Sequence, residues 1–135
     1  MDGGGPVDQF AVVVGAGSLR SEAADAVPFP HRWTAEGVTV EADFTGAHLL
    51  HLAAAGCVLN DVYREAGQLG VPIDGVRVTA QGDFDTATWA SRGITYRVEL
   101  HSPAPAGDLD RLLDRVDEVA EIPRTIRAGA PVHRR

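Results

Sequence analysis

Apolar residues recur along this chain with two periods. Val38, Val40 and Ala42 alternate with Thr39, Glu41 and Asp43 over residues 37–44, and Val76, Val78 and Ala80 share one side of residues 75–84. Ile94, Tyr96, Val98 and Leu100 repeat the pattern over 93–101. A period of two belongs to a half-buried strand, so each segment is predicted to be one, and the β-branched run in 9–17 predicts a first strand ahead of them. Residues 27–33, broken by Pro28 and Pro30, read as a loop.

From Thr45 the period lengthens to that of a helix. Thr45 suits an N-cap and Gly70 followed by Pro72 a stop, which predicts a helix of about 24 residues and roughly 36 Å. Leu49, Leu50, Leu52, Ala53, Ala54, Ala55, Val58 and Leu59 make its first half apolar almost all round, the pattern of a helix covered on every side. Residues 85–93 suit a turn region. A second helix is predicted over 107–122, where Leu109, Leu112, Leu113, Val116, Val119 and Ala120 fall at helical spacing. Asp108 and Asp110 stand at its favoured N-terminal end, and Pro123 is expected to break it. The order is β-β-α-β-β-α, an α+β fold.

Length and composition narrow this picture. With 135 residues the chain is expected to form a single domain over 1–135, residues 1–8 being flexible. Its longest apolar run, Leu52–Leu59 with Gly56 inside it, falls far short of the ~20 residues that span a bilayer, so no membrane partner is expected. The N-terminus has neither the basic nor the apolar stretch of a signal peptide, and the one cysteine, Cys57, leaves no intrachain disulfide; a cytoplasmic location is expected. The formal charge of −7 and the lack of a basic cluster beyond Arg134 and Arg135 argue against a nucleic-acid partner. All 12 basic residues are Arg, a bias read as that of a GC-rich bacterial genome.

Cys57 is the first candidate for chemistry. A nucleophilic thiolate needs a nearby cation or helix dipole, and three turns into the helix the dipole acts weakly, which leaves the task to an arginine. The other reading is a small core residue, since cysteine is among the most buried types. Asp61 shares its helix face at i+4 and would raise its pKa. His48 and His51, three apart, have a spacing that two metal ligands on one face can have, with His31 as a third. Cys57 lies nine residues past His48, on the opposite side of the helix, and neither a metal nor another cofactor is expected. Trp33, Phe44, Tyr63 and Trp89 are candidates to line an apolar pocket, or else core and rim anchors.

A central helix with Cys57 after a Leu-Leu-x-x-Ala stretch, then "GVRVTAQGDFD", "GITYRVEL" and a closing "IPRTIRAGAPV", together resemble the OsmC/Ohr family of osmotically inducible and organic hydroperoxide resistance proteins. The resemblance covers roughly residues 10–133 and implies an OsmC-like fold and an intertwined homodimer with two long helices back to back. It implies that Cys57 is a peroxidatic nucleophile, that Arg20 activates it, and that His48 stands where the family keeps an acid at the helix start. Ala120 falls at the resolving-cysteine position, and Gly46 replaces the family's proline. The activity implied is therefore a one-cysteine hydroperoxide reductase with an external thiol as reductant. The alternative is a member without peroxidase activity that holds a small hydrophobic molecule in a dimer-interface pocket lined by Phe44, Tyr63 and Trp33.

Overall fold

The structure, a computed structural model, describes residues 10–135. In these residues the elements run β1 (Val12–Gly17), β2 (Val27–Phe29), β3 (Val38–Glu41), α1 (Gly46–Leu69), β4 (Gly75–Phe84), β5 (Ser91–His101), α2 (Ala106–Val119) and α3 (Glu121–Ala128). The strands form one antiparallel sheet in the order β2-β3-β1-β4-β5. Val14 pairs with Val40 and Val78, and Val78 with Val98, so period-two alternation collects the apolar residues of four strands on one face. Ala55, Val58, Leu59, Val62 and Ala66 of α1 pack onto that face, joined by Leu112 and Val116 of α2. The opposite face is polar and carries the ion pair between Arg77 and Glu99.

Local chemistry sets the limits of α1. Thr45 is extended, its hydroxyl oxygen accepts the His48 N–H at 3.1 Å, and Gly70 closes the helix in the left-handed region with φ 71°. The expected boundaries of this helix hold.

Three expectations are corrected. Residues 27–29, read as loop, form strand β2, whose Pro28 is opposite Thr39; at the sheet edge a residue without an N–H is tolerated. Pro123 does not end the second helix. The break falls earlier, at Ala120 with ψ 108°, and Pro123 occupies the first turn of α3, where backbone N–H groups have no partner within the helix. The order is therefore β-β-β-α-β-β-α-α. The first strand, expected from residue 9, begins at Val12, two residues after Phe10 turns the chain with φ 56°. The expectation of a flexible segment over 1–8 lies outside the described residues. Among the described residues no helix is long and apolar enough to cross a membrane.

Candidate functional site

A helix repeats its face every three to four residues, so Cys57, Asp61 and Glu65 stack as one stripe along α1. That stripe faces α2 and α3 and is buried. The Cys57 S–H donates to Glu121 Oε1 at 3.1 Å, from the first residue of α3, and lies 3.9 Å from Asp61 Oδ2. Arg64 holds the acids together: its guanidinium is 3.2 Å from Asp61, 3.0 Å from Glu65 and 3.9 Å from Glu121. Arg115 of α2 adds a second hydrogen bond to Glu65 at 2.9 Å.

The electrostatics follow from these contacts. Burial pushes the Cys57 thiol up to about 12; the Ile122 backbone N–H opposes this, while Glu121 and Asp61 reinforce it. Burial likewise raises the Asp61 carboxyl against the pull of Arg64. Glu65 is lowered by its Arg115 and Arg64 hydrogen bonds, and Glu121 by the thiol it accepts from. Three carboxylates already share two guanidinium groups here, and a thiolate would be a fourth anion in a buried place. Sγ and the carboxylate oxygens of Asp61 and Glu121 lie within 4.8 Å of one another, a spacing a metal ion can bridge, but Arg64 already neutralises that acid pair.

On another side of α1 lies a pocket of about 350 Å³. Its walls are Phe29, Trp33, Val38, Leu52, Gly56 and Leu59, and its polar edge is His31 and Arg32 with Asn60. His31 Nε2 is 3.0 Å from Asn60 Oδ1 and its Nδ1 is 2.8 Å from the Thr34 hydroxyl, which fixes the ring between Trp33 and Tyr63. The Tyr63 hydroxyl is buried without a partner among the described residues.

The sequence candidates separate accordingly. Trp33 lines this pocket and Tyr63 backs it through His31, whereas Phe44 stands apart, 89% exposed. Trp89 is on the exposed β4–β5 turn. His48 sits at the start of α1, sharing a hydrogen bond with the Thr45 hydroxyl and packing on Phe10, about 14 Å along the helix axis from Cys57. His51 donates from Nδ1 to the Ala47 carbonyl and stacks on the same Phe10, while His31 belongs to the pocket, so the three imidazoles do not converge. The backbone of Arg20 folds over Gly15 on the polar face of the sheet, and α1 lies on the other face. Within one chain the sheet separates Arg20 from Cys57.

Sequence reasoning missed Glu121, Arg64, Glu65 and Arg115. Asp61 and Glu65 at i+4 and i+8 from Cys57 gave a legible signal for the stripe. Glu121 gave a weaker one: it follows Ala120, the position matched to the resolving cysteine, and the start of α3 brings Glu121 itself against Cys57.

An antiparallel sheet covered on one face by a long helix with a buried thiol, and by two further helices, defines an α+β class of small thiol-bearing domains. The OsmC-like protein family model matches residues 36–134, and the chain belongs to that family. Among solved structures it is similar to an OsmC-like protein from Mycoplasma pneumoniae, with TM-score 0.58 and 16% identity over 81% of this chain and 90% of that one. It is also similar to an OsmC-like hydroperoxide resistance protein from Jannaschia sp. CCS1, with TM-score 0.51 and 13% identity over 94% and 93%. Among curated proteins no sequence matches it.

Proposed function

We propose that this OsmC-like protein binds a small, largely apolar molecule in the pocket between α1 and the β2–β3 segment, and that Cys57 is kept as a neutral thiol instead of a resting peroxidatic thiolate. The observation that carries this reading is the thiol's surroundings. Cys57 donates its proton to Glu121 beside Asp61, and the nearest cation, Arg64, is committed to carboxylates. A homodimer fits the same reading, because Ala53 is exposed and Leu49, Gly56 and Asn60 are half-buried along the uncovered flank of α1, where a second subunit would close the pocket. The chain would work as a single domain in the cytoplasm, where its one thiol stays reduced.

A second reading has its own support. The Ile122 N–H at the start of α3 favours charge on Sγ, and Glu121 is placed to take the thiol proton. In a one-cysteine hydroperoxide reductase Sγ would attack the terminal peroxide oxygen, giving a sulfenic acid and an alcohol; one external thiol would condense with the sulfenic acid to a mixed disulfide with loss of water, and a second would free the cysteine, leaving the two external thiols joined as a disulfide. The family resemblance of Cys57 belongs to this reading; Arg20, across the sheet, would have to reach it from a second subunit.

One experiment separates the two. The protein is given one equivalent of cumene hydroperoxide, residual peroxide and intact mass are followed, and a solvatochromic apolar dye is titrated into wild type and Trp33→Ala. The binding reading expects unchanged peroxide and an unmodified Cys57, with saturable dye fluorescence weakened by Trp33→Ala. Rapid peroxide loss with one added oxygen on Cys57 overturns it in favour of the reductase.

A further inference from the structure

Ala54 lies one turn before Cys57 on the same stripe of α1, and beside it opens a second cavity of about 240 Å³ between α1, β5 and α3. Ala54 is about 160° round the helix from Gly56, so this slot and the His31 pocket are on opposite flanks of α1. Ile94 and Tyr96 of β5 form one wall and Pro123 and Ile126 of α3 the other. Its polar lining comes from Arg127, in the last turn of α3, and Ser91. The Tyr96 hydroxyl is not available to a ligand, since it donates to Asp117, and burial together with that carboxylate holds it up at about 12. Tyr96 therefore offers its ring. None of the ion pairs among the described residues engages Arg127.

We propose that this slot is a second binding site, one that takes a small aliphatic or aryl monocarboxylate with its tail against Ile94, Tyr96, Pro123 and Ile126 and its carboxylate on Arg127. The planar guanidinium presents paired N–H donors that match a carboxylate, and the apolar walls leave a neutral polar head without a comparable partner. Asp117, the acid nearest Tyr96, is occupied by the tyrosine hydroxyl and discourages dianionic heads. An apolar cavity of about 150 Å³ holds the six carbons of benzene, so this one suits about ten heavy atoms, the size of octanoate. The site is independent of the His31 pocket, and either can fail without the other.

The test is calorimetric titration of the full chain with octanoate, 1-octanol and octylamine, repeated with Arg127→Gln and with Ala54→Met, which fills the slot. Arg127 is exposed, so its replacement leaves the core untouched. Octanoate is expected to bind wild type better than octanol or octylamine. Arg127→Gln should weaken octanoate about fivefold while leaving octanol unchanged, as the loss of one partly solvated ion pair predicts. Ala54→Met should weaken both. The proposal is overturned if octanoate shows no saturable binding, if octanol or octylamine binds as well, or if Arg127→Gln leaves octanoate affinity unchanged. Chemical-shift changes confined to residues around His31 would overturn it too.

Discussion

Replacing Glu121 by Gln removes one of the two charges beside Cys57 while keeping the side chain's size. With the wild-type thiol near 12, about one molecule in 10,000 is ionised at pH 8, against about a quarter for a free thiol of pKa ~8.5. Ionisation alone would slow alkylation about 2,000-fold. A more basic thiolate is a better nucleophile, with a sensitivity of about 0.4–0.5 per pKa unit, which restores about 40-fold. A net slowing of about 50-fold remains before burial adds its own barrier. Glu121→Gln should shift the alkylation profile to lower pH, but not to 8.5, because burial is the largest cause of the shift and Asp61 stays in place. The assay is the rate of iodoacetamide incorporation by intact mass from pH 6 to 11, with circular dichroism confirming the fold of the variant. A wild-type profile with its midpoint at or below ~8.5 would refute the neutral-thiol argument, and an unchanged profile in Glu121→Gln would show that this carboxylate does not govern the thiol.

Three further outcomes are expected. Because the folded state holds the Cys57 proton to about 12 and the unfolded thiol releases it near 9, the neutral thiol's contribution to stability is whole below pH 9 and is lost as pH rises towards 12; Cys57→Ala should flatten that alkaline decline in urea midpoints. Glu65→Gln, which removes a buried carboxylate between Arg64 and Arg115, should cost about 1–3 kcal/mol in chemical denaturation at pH 7. The folded Glu65 carboxyl is lowered, so its contribution is present above the unfolded value and fades as pH falls through the folded one, and wild type and variant should converge in acid. Thr45→Ala removes the α1 N-cap and should lower stability by about 0.5–2 kcal/mol in the same assay.

The OsmC-like pattern could be read along the chain because its signals are local. Thr45 and Gly70 bound α1 through hydrogen bonds to residues three or four positions away, and the alternation in β4 and β5 fixes which side chains meet the core. The i+4 spacing likewise placed Asp61 beside Cys57. Local signals misled where context ruled: Pro28 is acceptable only because β2 is an edge strand, and Pro123 starts a helix because the chain has already turned at Ala120. The site depended on longer distances. Glu121 is 64 residues from Cys57, Arg115 is 50 from Glu65, and His31 is 29 from Asn60. The sequence by itself determined α1, the four longer strands, their buried faces and the family to which they belong, but not the edge strand β2 or the break between α2 and α3. Only the packing of α2 and α3 against α1, and of α1 against one face of the sheet, decided that the thiol meets Glu121 as well as Asp61 and that Arg20 lies across the sheet from it. Periodicity dictates which side of an element is apolar; which partner covers each side depends on how whole elements dock.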